Sequence, residues 1–324
     1  MKPFAYLSPP DVATAVRMVA DDPDAKFLGG GTNLVDLMRQ NVVQPSTVVD
    51  VSRLPLTAVT ELPDGGLRIG ALVRNSHLAA DPLVGNRYPV LSQAILAGAS
   101  GQLRNMATVG GNLLQRTRCP YFTDLAAACA KREPGSGCDA AGGFSRGSAV
   151  LGTGTACIAA HPSDLCVALA ALDATVEVES VRGVRRIPFG EFHRLPADTP
   201  HLETTLADDE LVTAVEVPAP VTRLSGYRKV RDRASYAFAL VSVAAALEVR
   251  DGTVSVVRLA LGGVGTKPWR AVEAERVLTG APATAESFRA AAEAELAGAV
   301  TTPHNEFKVE LAKRVIVSTL EGLA

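Results

Sequence analysis

The stretch Phe27-Leu28-Gly29-Gly30-Gly31-Thr32-Asn33-Leu34 sets three glycines between an apolar run, Ala25 to Leu28, and an amphipathic one, Leu34 to Gln40. That order reads as strand, tight loop and helix start. Glycine admits positive φ and lets a ligand come close to the main chain. Thr32 and Asn33 are good N-cap types, so the next helix would begin with free N–H groups pointing back into the loop. Such a loop suits a phosphate or pyrophosphate held by backbone amides and the positive helix end. An ordinary glycine turn has the same pattern, and the stretch alone leaves both readings open. A second glycine stretch, Thr108-Val109-Gly110-Gly111-Asn112-Leu113, repeats the same residue types. Standing alone, Gly110-Gly111 would be a turn and Asn112 a helix cap. Together the two stretches suit a dinucleotide: one loop for the phosphates, the other for the ring or ribityl side, with Asn supplying donors and an acceptor.

A Rossmann reading meets two obstacles. Gly29 and Gly31 have G-x-G spacing, and Asp50 stands roughly where a ribose-binding acid would, about 20 residues on. The third glycine position, however, is Leu34. The strand–helix alternation also stops after one unit. Asp50 therefore reads as a strand-end turn former.

All five cysteines, Cys119, Cys129, Cys138, Cys157 and Cys166, lie between positions 119 and 166. An odd count in a large chain argues against a disulfide framework. Thiolates bind soft metals, and four make a cubane cluster or a structural zinc site. The first four cysteines are separated by nine, eight and eighteen residues, with no C-x-x-C pair. That weakens a zinc-ribbon or ferredoxin-like assignment. In favour of a metal site, all four sit in an irregular Gly-rich segment where no hydrophobic face needs a buried cysteine. Spacing alone leaves the matter open. Cys166 sits in the apolar run Leu165-Cys166-Val167-Ala168-Leu169 and reads as core. His77, His161, His193, His201 and His304 are scattered without ligand spacing, and His161, before Pro162, reads as a turn residue. Lys229 is either an exposed strand charge or a cation near a flavin. No nucleophile elbow, Walker loop or carboxylate pair is present, and no catalytic residue is assigned.

These residues need elements to position them. The first part reads as helix Asp11 to Asp21, strand Lys26 to Gly29, helix Leu34 to Gln40 and strand Thr47 to Val51, ending near Arg53. A hairpin, Leu56 to Leu62 and Leu67 to Leu72, turns at Pro63-Asp64-Gly65-Gly66. Helices are expected at Asn75 to Ala80, Pro89 to Ala97 and Ser163 to Leu172. Residues 115–160 lack a sustained period, and so long an irregular stretch is usually functional. Strands are expected at Thr175 to Glu179, Arg185 to Pro188 and Leu211 to Val217. Pro218-Ala219-Pro220 marks a boundary. Beyond it stand three strands, Gly226 to Arg231, Ala239 to Val249 and Ser255 to Val264. Three helices close the chain, Trp269 to Leu278, Thr284 to Leu296 and Asn305 to Leu320.

The 324 residues suggest about two domains, or three small ones. Hydrophobic residues make up 47% and charged ones 20%, an ordinary globular composition. With a net charge of -2 and no basic block, nucleic acid is not expected as a partner. No signal peptide and no stretch long enough to span a bilayer are read.

Over nearly its whole length the chain resembles the flavin subunits of molybdenum hydroxylases, the xanthine dehydrogenase and carbon monoxide dehydrogenase group. The resemblance lies in Leu28-Gly29-Gly30-Gly31-Thr32-Asn33-Leu34 and Thr108-Val109-Gly110-Gly111-Asn112, which look like that family's two FAD loops. Pro162-Ser163-Asp164-Leu165 is similar to its aspartate site, Glu210-Leu211-Val212 to its strand before the C-terminal domain, and Tyr227-Arg228-Lys229 to its flavin-proximal lysine. Gly29 stands where many relatives have Ala. The run Gln115-Arg116-Thr117-Arg118-Cys119-Pro120-Tyr121-Phe122, with Pro134 to Cys138 and Cys157, resembles the insert of the periplasmic aldehyde oxidoreductase type. There, an insert between the second loop and the aspartate site carries an extra 4Fe–4S cluster.

The resemblance implies an α+β fold: a two-part FAD-binding domain of the vanillyl-alcohol-oxidase and CO-dehydrogenase flavoprotein type, plus a C-terminal domain of three antiparallel strands with helices. The expected division is 1–53, 54–218 with the insert at 115–160, and 219–324. FAD would be held by Leu28, Gly29, Gly30, Gly31, Thr32, Asn33, Leu34, Thr108, Gly110, Gly111, Asn112, Asp164, Leu211 and Lys229. The 4Fe–4S ligands would be Cys119, Cys129, Cys138 and Cys157. The implied oxidoreductase is a heterotrimer, with a large molybdenum-cofactor subunit, a small 2Fe–2S subunit and an external electron acceptor. The compartment would be cytoplasmic, or periplasmic by co-export on a partner's twin-arginine signal. The alternatives are a stand-alone FAD oxidase and a zinc-stabilised non-catalytic nucleotide-binding subunit.

Overall fold

Three sheets follow one another along the chain in the computed structural model, which describes residues 1–324. The first is parallel, in the order β1-β3-β2, from β1 (Ala5–Leu7), β2 (Lys26–Leu28) and β3 (Thr47–Asp50). Its crossover helix, Val12–Ala20, starts where the Asp11 carboxylate accepts the Thr14 N–H at 2.7 Å. It buries Ala15, Val16 and Val19 against Val49 and Val51. Strand β2 ends at Leu28, and only five residues separate it from helix Leu34–Arg39. The glycines fill that gap.

The second sheet is antiparallel, ordered β4-β5-β8-β6-β7, from β4 (Val59–Glu61), β5 (Leu67–Gly70), β6 (Thr175–Ser180), β7 (Gly183–Pro188) and β8 (Leu211–Val217). Strand β6 alternates as its sequence does: Val176 and Val178 are buried, while Glu177 and Glu179 are only partly covered. Helices Asn75–Ala80, Pro82–Arg87, Pro89–Ala97 and Gly101–Met106 lie between β5 and the second glycine stretch. The third sheet, also antiparallel, runs β12-β11-β10-β9, from β9 (Ser225–Val230), β10 (Val241–Arg250), β11 (Thr253–Gly262) and β12 (Trp269–Arg270). Helices Val272–Leu278, Ala285–Leu296 and Phe307–Glu321 cover it and bury Phe288, Ile316 and Leu320.

Helix Asp164–Ala171 joins the second and third sheets and is buried at every residue. Its all-round apolar sequence, Leu165 to Ala171, fits that place. It carries Asp164 at its first position.

Several sequence expectations need correction. The third sheet has a fourth strand, because Trp269 and Arg270 pair with Leu261 and Ala260. The helix expected from Trp269 therefore starts at Val272. Arg270 is held extended by Asp173 at 2.6 Å and by Glu275. Helices Pro82–Arg87, Gly101–Met106 and Phe189–Phe192 were not expected. The second glycine stretch is the short helix Val109–Leu113 rather than a loop. Within 115–160 only two single-turn helices form, Pro120–Thr123 and Asp139–Gly142. No helix is long and apolar enough to cross a membrane.

Candidate functional site

The two glycine stretches touch. A Cβ on Gly30 would lie 1.9 Å from the Met106 carbonyl oxygen, and one on Gly29 would lie 3.0 Å from Thr108 Oγ1. Gly31 has φ +75°, which favours glycine. The N–H groups of Gly30, Gly31, Thr32 and Asn33 donate to no protein acceptor. Four free amides at a helix start are what a pyrophosphate needs. The second stretch differs. The Val109 and Gly110 amides donate to Val73 O (3.0 Å) and Ala71 O (2.8 Å), and the Gly111 amide donates to Thr108 Oγ1 (3.2 Å). Its amides are used internally, so it offers the side chain of Asn112 instead. Asn112 Oδ1 accepts from Ser163 Oγ at 2.5 Å and from Gln115 Nε2 at 2.8 Å, leaving its Nδ2 as donor.

A groove of about 670 Å³ runs between the stretches, within the range of small-molecule sites. Gly31, Thr32, Asn33, Gly111, Asn112 and Asp164 line it. So do Asn75, Gly98, Arg118, Tyr236 and Phe238, which the sequence reading missed. Asn33 Nδ2 and Asn75 Oδ1 are buried without a partner, two orphaned polar atoms in one groove. Buried polar groups of this kind call for a ligand or water. Asn33 Oδ1 accepts the Arg116 N–H at 2.9 Å, which ties the first loop to the start of the insert.

Asp164 closes one end. Its Oδ1 accepts from Tyr227 OH at 2.6 Å, and its Oδ2 accepts from Lys229 Nζ at 2.8 Å. Lys229 also donates to Ala97 O at 3.1 Å. The Lys229 side chain is only 4% exposed, so it is no exposed strand charge. Burial and the adjacent Asp164 carboxylate push the Tyr227 phenol well above its usual range. A Cβ on Gly98 would stand 3.1 Å from Asp164 Oδ2. Leu28, Gly29, Gly30, Leu34, Thr108, Gly110 and Lys229 do not themselves line the groove. Leu211 lies away from the groove on β8, packed with Val49, Val51 and Leu72. The segment Asp232–Leu240 divides the groove from a second cavity of about 300 Å³, with Phe238 under the Arg118 guanidinium at 5.2 Å.

Cys119, Cys129, Cys138 and Cys157 border one small cavity, walled also by Phe122, Ala128, Ala130 and Ala140. The insert reaches this arrangement through its own bonds. Cys129 and Cys138 face each other in an antiparallel bridge. The Arg132 guanidinium donates to Tyr121 O, Phe122 O and Asp124 O at 2.8–2.9 Å. The Ala159 N–H donates to Cys157 Sγ at 3.4 Å. Burial pushes the Cys119 thiol up and the Cys157 thiol up to about 11, so thiolates here require a cation. Lys131, at the edge of this cavity, pairs with Glu203 at 2.8 Å; Glu203 also takes Arg116.

The histidines are not all scattered in space. His161 and His193 meet edge to face with ring centroids 4.5 Å apart, and Cys166 is beside them. Separations of 32 and 27 residues in the chain hid this from spacing arguments.

Its family matches make the chain a FAD-binding protein. Residues 2–220 match the family described as FAD binding domain in molybdopterin dehydrogenase, and residues 225–323 match the CO dehydrogenase flavoprotein C-terminal domain. The chain belongs to the FAD-binding medium subunits of the molybdenum hydroxylase family, which are oxidoreductase subunits. It is 51% identical over 322 residues to the aldehyde oxidoreductase FAD-binding subunit PaoB of Escherichia coli K12, covering 99% of this chain and 98% of the relative. It is 30% identical to the nicotine 6-hydroxylase medium subunit of Paenarthrobacter nicotinovorans, covering 89% of this chain and 84% of the relative. Among solved structures, a carbon monoxide dehydrogenase from Hydrogenophaga pseudoflava superposes with a TM-score of 0.78 at 25% identity, covering 100% of this chain and 98% of the other.

Proposed function

We propose that this chain is the FAD-binding electron-transfer subunit of a heterotrimeric molybdenum-containing aldehyde oxidoreductase and carries an additional 4Fe–4S cluster. The observation that carries the proposal is the convergence of Cys119, Cys129, Cys138 and Cys157 on one apolar cavity whose wall, at Thr117 and Cys119, also belongs to the cavity beside the flavin groove. Four thiols around one apolar cavity are a ligand set that a cubane cluster takes. The similarity to an aldehyde oxidoreductase subunit across the whole chain supports the aldehyde as the substrate class of the complex, oxidised at molybdenum on a large partner.

FAD supplies the electron exchange between 2Fe–2S clusters of a small partner and an external acceptor. This chain's residues hold and shield it. The amides of Gly30 to Asn33 would take the pyrophosphate, and Asn33, Asn75 and Asn112 would take polar groups along the length of the cofactor. Asp164, fixed by Tyr227 and Lys229, would accept from a hydroxyl or ring N–H. We assign the units as 1–53, 54–218 with the insert at 115–160, and 219–324. Iron and FAD analysis of the purified complex tests the reading. We expect four irons per FAD from this chain beyond those of the small partner, lost in Cys138→Ser and kept in Cys166→Ser. Unchanged iron in Cys138→Ser overturns the ligand set. Full aldehyde-independent flavin oxidase activity from the isolated chain favours the stand-alone alternative.

A further inference from the structure

We propose that His161, Cys166 and His193 form a second, mononuclear metal site, and that it takes a single zinc ion with one water. One ligand atom from each side chain lies within 4.8 Å of the other two. A zinc ion bound to two imidazole nitrogens and one thiolate needs ligand separations of about 3.3–3.8 Å, within reach of small side-chain rotations. The two histidines come from different segments. His161 precedes the helix Asp164–Ala171, and His193 follows the turn Phe189–Phe192.

His193 is set as a ligand. Its Nε2 donates to Leu113 O at 3.0 Å, which fixes the proton on that nitrogen. Its Nδ1 then carries the lone pair, and that atom is buried with no partner, on a side chain that is 5% exposed in all. A ligating histidine whose other nitrogen donates to a backbone carbonyl is the usual arrangement around zinc. Two neutral imidazoles and a thiolate suit zinc better than oxygen-seeking cations. The rings of Phe189 and Phe192 stand 5.4 and 4.8 Å from His193 and shut out bulk solvent on that side. Both histidines also border a small space of about 20 Å³ together with Lys131, Glu203, Thr266 and Cys157, whose thiol faces the cluster cavity as well. That is room for one water, the fourth ligand of a three-residue zinc site. The ion would pin the Asp164-bearing helix to the segment after β7.

The test is zinc and iron analysis of the complete complex, as isolated and after one added equivalent of Zn²⁺, for the wild type and Cys166→Ser. We expect one zinc per FAD, with an absorption-edge shell of two nitrogens, one sulfur and one oxygen. Cys166→Ser should weaken zinc binding at least about a hundredfold, with iron per FAD unchanged. The iron readout keeps this test separate from the 4Fe–4S assignment. No stoichiometric zinc in the wild type after addition overturns the proposal, as does an all-sulfur shell. Equal zinc in wild type and Cys166→Ser overturns it as well. The wild-type measurements stand even if the variant fails to fold.

Discussion

Lys229 Nζ lies 2.8 Å from Asp164 Oδ2, with the two side chains 4% and 8% exposed. One residue comes from strand β9 of the third sheet, and the other opens the buried helix that joins the second sheet to the third. A buried pair of this kind is weak as a source of stability but costly to halve. It fixes where the third sheet sits relative to the groove between the two glycine stretches.

Asp164→Asn should therefore act on both stability and cofactor. The uncompensated Lys229 charge should cost about 3–5 kcal/mol, read by denaturant unfolding of the apo chain. FAD retention should fall with it. Replacing both partners, Asp164→Leu with Lys229→Met, should recover much of the stability but none of the FAD. Recovery of FAD in the double variant would show that the pair serves packing alone.

Gly30 gives the sharpest steric prediction. An alanine there meets the Met106 carbonyl at 1.9 Å, and backbone cannot swing aside as a side chain can. Gly30→Ala should force the loops apart, cost about 1–3 kcal/mol or more, and yield protein purified largely without flavin. Gly85→Ala is the control. Gly85 sits in the exposed part of helix Pro82–Arg87, and a Cβ added there would have nothing within 4 Å. It should gain up to about 1 kcal/mol and keep full FAD.

Glu203 holds Lys131, which borders the cysteine cavity, and Arg116, whose guanidinium lies 4.6 Å over the ring of Phe122 in that cavity's wall. Burial pushes its carboxyl pKa up, but the two cations overcome this and hold it below the ordinary carboxylate range. Glu203→Gln leaves both cations without a counter-charge. We expect a loss of about 3–5 kcal/mol and iron that is released faster to a chelator than in the wild type. Unaltered iron release would mean that the insert is held by its own backbone bonds and Arg132.

The glycine stretch at Gly29 to Asn33 was legible because its chemistry is local: strand end, loop and helix start are adjacent in sequence. The strands β6, β8, β10 and β11 were legible through period and turn residues. Asn75, Gly98, Tyr236 and Phe238 were not, because they reach the groove from separate segments and nothing in their local sequence marks them. The second stretch was misread for a related reason. Thr108 and two glycines look like a loop, and only the partners Ala71 and Val73, far away in sequence, show that the amides are already used. His161, Cys166 and His193 had the same fate, since a buried helix and a turn bring them together. Trp269 and Arg270 read as helical, but pairing to β11 and the acids Asp173 and Glu275 overrode that preference.

Lys308 supplies a pH-dependent prediction. Its side chain is fully buried in helix Phe307–Glu321, and Nζ donates to Gly147 O (3.1 Å), Ser148 O (2.8 Å) and Gly263 O (2.8 Å). These carbonyls belong to the end of the insert and the turn after β11, so one amine staples the insert to the C-terminal helices. Burial lowers its pKa from 10.5 to about 7. Between those values the unfolded chain binds a proton that the folded chain does not, so stability rises with pH across that window. The contribution is complete above the unfolded value and is lost as pH falls toward about 7. Lys308→Met removes the titration and should flatten this dependence. The difference in unfolding free energy between wild type and variant should therefore grow in favour of the wild type, on the order of 2–4 kcal/mol, from about pH 7 to about pH 10. Denaturant unfolding of the apo chain at both pH values measures it. A constant difference would show that the three carbonyls keep the amine protonated throughout.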